Sequence, residues 1–515
     1  MWYYDPIASE HLLTSATETF KSGFASSESE MPADIQLALA ALIARLCSGN
    51  EHDSPCFSTA LPLIAARAPG RLDVMGGIAD YSGSTVLQLP LKESTIVFCQ
   101  RSSIPEFRVV STSTEDYVPS QEFRMPMDDF IDSKTGKARS ERSMRQYFSD
   151  LADKDKWAAY VAGVVTVLMQ HSDCDITTDR GILLQVTSTV PQGKGVSSSA
   201  ALEVAVMRAV SALFHLKLSA HRQALLCQRV ENHIVGAPCG LMDQMASSCG
   251  DTGALLSMLC QPDIVNDPVA LPAGLSLWGI DSGIRHAVSG ADYSTVRVAA
   301  FMGYRYILEA AGIADRNVAA ADIIDSRWNG YLANISVHDY LQTFEAKLPD
   351  KVSGRVFLQH FDNTTDSITA VDPDTVYAVR ACTAHPVHEH FRARLFIQLA
   401  TTAQEVSVTE PLAKLMGECM YQSHASYSSC GLDSQGTDEL VRRLNACGHA
   451  GGIFGARITG GGSGGVVAVL AHAEADSLIR SIASDYAATS GLGGYVFSGS
   501  SAGAGVFCLV PESNG

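Results

Sequence analysis

Paired cysteines are missing from this sequence. Its 13 cysteines are odd in number, scattered along 515 residues, and never spaced as Cys-x-x-Cys. A disulfide framework and a zinc site are therefore disfavoured, and a reducing compartment is favoured. No apolar run approaches the ~20 uncharged residues of a membrane span. The first residues, MWYYDPIASEHLL, lack a basic region followed by a long apolar stretch, so they do not read as a signal peptide. Positive charge is scarce: 37 Lys and Arg against 55 Asp and Glu leave a formal charge of −18. That argues against a nucleic acid bound through its phosphates, which needs a basic surface. It leaves room for a small anion in a local basic or amide-lined pocket. The expectation is a cytoplasmic protein with no membrane and no nucleic-acid partner; no signal speaks to its oligomeric state.

What is present is the composition of a packed globular chain, 46% hydrophobic and 18% charged. The length suggests about two to four domains, or two large ones. Residues 1–60 read as a partly helical extension, two helical patches flanking the loop SGFASSESEMPAD, with apolar residues at helical spacing over 34–48. From 61 the texture changes. LIAARAPG reads as a strand ending in a Pro-Gly turn, and STVLQLPL and STIVFCQR as two further strands. Residues 103–145 are weakly patterned, read as strands and an excursion. WAAYVAGVVTVLMQHS (157–172) reads as an amphipathic helix, followed by the strand GILLQVTSTV, a Gly/Ser loop, the helix AALEVAVMRAVSALF and another helix near 220–235. LSLWGIDSG (275–283) opens a second strand-and-helix region. Residues 310–410 look like an insertion with little visible chemistry, and no internal repeat is found.

PQGKGVSSSAALEVA (191–205) is the strongest local signal. A glycine-rich turn (Pro191, Gly193, Lys194, Gly195, Val196) feeds Ser197, Ser198 and Ser199 into a helix start. Backbone N–H groups there carry the positive end of the helix dipole and attract phosphate. A serine hydroxyl can also reach a bound Mg²⁺. It is not a Walker A loop, because Gly195 follows Lys194 where Ser or Thr is needed. A serine-capped helix after a glycine turn is the plain alternative. A second glycine loop, TGGGSGG (459–465), satisfies G-x-G-x-x-G through Gly460, Gly462 and Gly465, but VVAVL, a strand, follows it, which excludes a dinucleotide fingerprint. A hairpin turn, or close approach of backbone to a ligand, remains.

Asp243, in PCGLMDQMASS, suits a general base, with Arg71 as its counter-charge. Glu231 and Ser199 offer hard oxygen ligands for magnesium. Each acid taken singly also fits a solvated or capping role. Lys194 suits either phosphate or solvent. His233, His385, His388 and His390 are metal ligands by type only; their spacing fits no common zinc pattern. In GRLDVMGGIADYSGS (70–84), Arg71 and Asp80 flank the strip Gly76, Gly77, Ile78, Ala79, which carries no polar side chain.

Three motifs, in this order, resemble those of the GHMP kinases, the group of galactokinase, homoserine kinase and mevalonate kinase. APGRLDVMGGIADYSGS is similar to the sugar-binding signature of galactokinases, PQGKGVSSSAALE to the group's ATP loop, and RITGGGSGG, with Gly460, Gly461, Gly462 and Gly464, to its third motif. CGLMDQ and IDSGIRHAVSGADY also match galactokinase-like segments. The resemblance implies an α+β, two-domain fold with the active site between the domains. The amino-terminal domain (61–274) would be ribosomal protein S5-like, and the carboxy-terminal one (275–515, insertion at about 310–410) ferredoxin-like. It implies Asp243 as catalytic base, Arg71 beside it, Ser199 and Glu231 on magnesium, and 191–199 on the triphosphate of ATP. It implies Asp80, Cys239, Gly240 and Tyr293 as sugar contacts.

Within the group, GRLDVMGGIADYSGS, GKGVSSSAA, MYQSHASYSSCGLDSQGTD and GSSAGAG are most similar to the kinase region of plant-type L-arabinokinases. Those plant proteins carry a further large amino-terminal region resembling a glycosyltransferase, which this sequence is expected to lack. Galactokinases have a Glu-His pair where Gly77 and Ile78 stand here, recognising the sixth-carbon end of galactose. L-Arabinopyranose is galactopyranose without that hydroxymethyl group. A buried hydroxyl without a partner costs about 1–3 kcal/mol, roughly 5- to 150-fold. The implied function is an ATP- and Mg²⁺-dependent sugar 1-kinase preferring L-arabinose, with residual galactose activity that Gly77→Glu with Ile78→His should raise. The alternatives are a galactokinase or other sugar 1-kinase of the group, or, in another class, a non-catalytic sugar- and ATP-sensing regulator.

Overall fold

The computed structural model describes residues 32–48, 57–58, 61–113, 121–171, 176–285, 291–406 and 410–509. The expected helix at 34–48 is present as α1 (Ala33–Ser48); the helical patch expected before it lies outside the described residues. Asp34 in its first turn pairs with Arg67 and accepts the Ser94 hydroxyl at 2.8 Å, docking the helix on the sheet that follows.

Among the described residues that sheet has nine strands, two of them only two residues long. Its main members are β1 (Leu63–Met75), β2 (Thr85–Ser102), β3 (Glu106–Ser113), β4 (Gln121–Pro126), β5 (Gly181–Ser188) and β6 (Ala254–Leu259). β1, β2 and β5 pair antiparallel, and β3 runs parallel to β5. Two strand readings need correction. The Pro-Gly pair does not end β1; the strand bulges between Pro69 and Arg71 and continues to Met75. A bulge tolerates a proline inside a ladder. STVLQLPL and STIVFCQR are one strand, β2.

Helix α2 (Ala158–His171) covers this sheet together with α3 (Ser198–Leu213). α2 is buried at nearly every position from Ala158 to Leu168, so it is a core helix rather than an amphipathic one. α4 (Ala220–Arg229) runs into a π turn, Val230–Val235, which stops at Gly236 in a left-handed conformation. α5 (Met242–Cys249) follows.

The second sheet is antiparallel, from β7 (Leu275–Asp281), β8 (Ile453–Ile458), β9 (Val466–His472) and β10 (Val496–Ser498), in the order β8-β9-β7-β10. The 459–465 loop joins β8 to β9, a strand, glycine loop and strand as the pattern indicates. β11 (Gly505–Leu509) returns to the first sheet beside β1. One apolar cluster joins the two sheets, holding Leu72, Val74 and Leu87 with Leu277, Val466 and Phe497.

Residues 310–410 are not chemically silent. They wrap α6 (Ala291–Ala310) and lead into α7 (Val379–Glu405), then α8 (Glu410–Ser429). Among the described residues no helix is long and apolar enough to cross a membrane.

Candidate active site

The 191–199 loop approaches α3 through Gly193 and Gly195, each with φ +70°. Ser197 occupies the N-cap in a left-handed conformation, φ +59°, and its side chain does not cap the helix. Its buried Oγ has no partner among the described residues. The helix start is therefore not closed by a serine, unlike the plain capped helix. The Lys194 Nζ pairs with Asp281 at 3.0 Å, which sets it apart from a solvent-facing lysine.

The second glycine loop lies against the first. A Cβ on Gly460 would stand 2.7 Å from the Gly195 carbonyl oxygen, and one on Gly465 2.5 Å from that of Lys194. The glycines thus permit backbone to meet backbone. Gly462 and Gly464 pack on Leu432 and Ile284, and Gly461 is a half-buried turn residue.

Arg71 joins this loop to the candidate base. Its Nε donates to Asp243 Oδ1 at 2.9 Å and its Nη1 to the Gly195 carbonyl at 2.6 Å. The β1 bulge and the backbone bond from Arg71 N to Val196 O (3.1 Å) hold it there. Asp243 sits in the first turn of α5, where a helix favours an anion.

Below Asp243 is an acidic pair. Gln244 Nε2 donates to Glu231 Oε2 at 2.6 Å and to Glu203 Oε2 at 3.4 Å. The Ser199 hydroxyl also hydrogen-bonds Glu231. Burial, then the charge of Asp243, pushes the Glu231 carboxyl up to about 7. Burial, then Glu231, drives Glu203 well above its ordinary range, and Glu203 Oε1 has no partner among the described residues. A cation would relieve this excess of buried carboxylates. Hard oxygens from Ser199 and Glu231, with phosphate and water, suit magnesium. Among the described residues no three His, Cys, Asp or Glu form an all-protein metal cage.

On the acceptor side, Asp80 opens a short 3-10 turn, Asp80–Ser82. A Cβ on Gly240 would stand 1.6 Å from Asp80 Oδ2, so only glycine fits there. Asp80 Oδ1 is buried without a partner among the described residues. Burial, then Asp243, lifts its carboxyl to about 7. Tyr293 stacks edge-on with Tyr81 at 5.8 Å, and Asp80 acts on its hydroxyl. Cys239 is anchored by Asn232, whose Oδ1 accepts from Cys239 N at 2.9 Å. The structure thus brings Asp80, Cys239, Gly240, Tyr293 and Asp243 together.

Residues 159–251 match the family described as GHMP kinases N terminal domain, and residues 408–488 match GHMP kinases C terminal. The chain carries both GHMP kinase domains. L-arabinokinase of Arabidopsis thaliana is 40% identical over 489 residues, covering 86% of this chain and 46% of that protein. The chain therefore spans about half the length of that relative. Galactokinase of Chloroflexus aurantiacus is 29% identical over 454 residues, covering 87% of this chain and 94% of the relative. Among solved structures, Lactococcus lactis galactokinase complexed with galactose shares the fold, with a TM-score of 0.65 at 19% identity over 91% of this chain and 99% of that one.

In this chain, the apolar strip 76–79 is held through its backbone. Glu389 on α7 accepts from Gly76 N at 2.9 Å, and His385 Nε2 bonds the Gly77 carbonyl at 2.9 Å. His390 Nδ1 accepts from Thr85 N at 3.0 Å. His388 sets its ring edge-on to Tyr340. Burial lowers His385 to about 4 and keeps its imidazole neutral; Arg392 and Arg457 hold Glu389 at about 2 against its burial.

Gly77 has no room for a side chain: its Cβ would meet Asp73 Oδ2 at 2.0 Å and the Tyr427 hydroxyl at 2.1 Å. A glutamate restored there would require Asp73 or Tyr427 to move. Ile78 is fully buried, at φ +50°, in an apolar cluster with Val296 and Tyr427. Asp73, Glu203, Gln244, Glu389, Tyr427 and Arg457 were not singled out from the sequence, and His385 was read only as a metal ligand by type rather than as the partner of the Gly77 carbonyl. Asp73 alone had a local signal, since two residues past Arg71 on a strand it shares that face.

Proposed function

We propose that this chain is an ATP- and Mg²⁺-dependent sugar 1-kinase converting L-arabinose to β-L-arabinose 1-phosphate. The observation that carries the reading is Arg71, which bonds the Asp243 carboxylate and the Gly195 carbonyl at once. It ties a base to a phosphate loop, beside an acceptor carboxylate, Asp80, with an unpartnered oxygen. The 40% identity to Arabidopsis L-arabinokinase supports arabinose as acceptor. The 29% identity to Chloroflexus galactokinase keeps galactose as the second reading.

In this mechanism the 191–199 amides receive the ATP phosphates. Ser199 and Glu231 would hold magnesium, which offsets phosphate charge when bound. Asp80, with Cys239, Gly240 and Tyr293 around it, orients the sugar. The anomeric oxygen forms a bond to the γ-phosphorus as the bond to ADP breaks, and its proton passes to Asp243. Arg71 offsets negative charge on the transferring group. Positioning and charge supply most of the acceleration, because phosphoryl transfer is loose. The nine free cysteines of the described residues support a reducing, cytoplasmic setting.

The test is ATP turnover with L-arabinose and D-galactose side by side. Arabinose well above galactose is expected. Galactose alone would retain the kinase and remove the arabinose assignment. Binding without turnover would favour a sensor.

A further inference from the structure

Arg297, on α6, takes no part in the steps above. It is a buried cation, 6% exposed. Its Nε and Nη2 form a bidentate ion pair with Asp366, at 2.7 and 2.8 Å. Asp366 comes from the 310–410 segment and is itself fixed. It accepts from the Thr369 hydroxyl at 2.6 Å and from the Ile368 and Thr369 amides at 3.2 and 3.3 Å. Five donors on one carboxylate make a rigid support.

The third guanidinium nitrogen is different. Nη1 reaches the Cys239 carbonyl only at 3.5 Å, the outer limit of a hydrogen bond. Its donor capacity is poorly used. The guanidinium also lies over the ring of Tyr81, 5.3 Å from the centroid, next in sequence to Asp80. Its charge acts on both Asp80 and Tyr293. Asp80 meanwhile keeps one buried oxygen without a partner.

A sugar hydroxyl both donates and accepts, whereas a carboxylate only accepts and a guanidinium only donates. A row of Asp366, Arg297 and Asp80 alternates these roles. We propose that Arg297, held by Asp366, is an acceptor-binding residue that forms with Asp80 a clamp for adjacent sugar hydroxyls. Asp80 accepts from them, and Arg297 donates to a hydroxyl oxygen. The row carries one net negative charge, so it favours a neutral sugar over a sugar acid. This rests on the reading of the chain as a sugar kinase.

The experiment is steady-state kinetics on the full chain, with L-arabinose and ATP varied separately, for Arg297→Met, Arg297→Lys and Asp366→Asn. Thermal melting with and without L-arabinose accompanies it. Arg297→Met is expected to raise the arabinose KM tenfold or more, to change the ATP KM less than twofold, and to abolish the arabinose-induced melting shift. Arg297→Lys should recover part of the loss, and Asp366→Asn should fall between. A buried charge left alone can prevent folding, so the double variant Arg297→Met, Asp366→Leu removes both charges. It should fold and show the same selective rise in arabinose KM. An unchanged arabinose KM in the folded variants overturns the proposal, as does an equal rise in both KM values. A wild-type chain that neither binds nor turns over sugar would instead overturn the kinase reading itself.

Discussion

The Tyr427 hydroxyl stands 2.1 Å from where a Cβ on Gly77 would lie, and it donates to the Gly460 carbonyl at 2.8 Å. Tyr427 is fully buried under Arg457, whose guanidinium is 5.0 Å from its ring centroid. One side chain thus fills the space at Gly77 and steadies the second glycine loop. Arg457 in turn pairs with Asp73 at 3.3 Å, on the strand that carries Arg71. Acceptor strip, base and phosphate loop share one buried network.

Gly77→Glu with Ile78→His is therefore expected to destabilise the protein rather than create galactose activity. Overpacking costs about 1–3 kcal/mol or more, read as a fall in denaturant midpoint. Adding Tyr427→Phe removes the hydroxyl that the new side chain would meet and should recover part of the loss. A stable double variant with galactose turnover would show that the strip can shift.

Asp243→Asn should lower turnover by about 10²–10⁴, the range for a general base, while the sugar and ATP KM values change little. Steady-state kinetics on the variant measure this. Near-normal turnover would remove Asp243 from the base role.

Asp80 and Glu231 should make the ligand-free protein less stable as pH rises from about 4 to about 7. Burial raises both carboxyls to about 7 in the native state, while unfolded carboxyls release their protons near 4. In that window the native state binds more protons, so unfolding free energy falls with pH, by up to about 1.4 kcal/mol per pH unit per group. Denaturant melts at several pH values should show the slope, and Asp80→Asn should flatten it. The sugar KM should rise as pH drops below about 7, because a protonated Asp80 loses an acceptor.

Gly460→Ala should raise the ATP KM and lower turnover. Gly460 has φ +67°, and its Cβ would press the Gly195 carbonyl at 2.7 Å. Gly253→Ala is the control: φ is +75°, with nothing within 4 Å. It carries only the conformational cost, about 1–2 kcal/mol, without the kinetic effect. Equal kinetics in the two variants would mean that the contact between the loops does not matter.

The local chemistry was legible early. A glycine turn before three serines marks a phosphate-ready helix start because the backbone geometry is set within a few residues. Arg71 and Asp243 were matched as counter-charge and base by residue type, and the resemblance set them side by side. Other features were misread for equally physical reasons. Pro69-Gly70 resembles a turn, yet here it is a bulge that lets β1 run against Val196, where a Cβ on Gly70 would stand 2.8 Å from the carbonyl oxygen. The ion pair of Lys194 with Asp281, some ninety residues on, could not be read from its local sequence.

The glycine loops, the serines and the order of motifs are properties of short segments, so the chain states them without folding. Why Gly77 is glycine, why Glu389 and His385 hold the strip, and why Asp366 fixes Arg297 belong to the folded chain alone. Each depends on side chains roughly 70 to 350 residues apart sharing one buried, low-dielectric space, where every polar atom needs a partner.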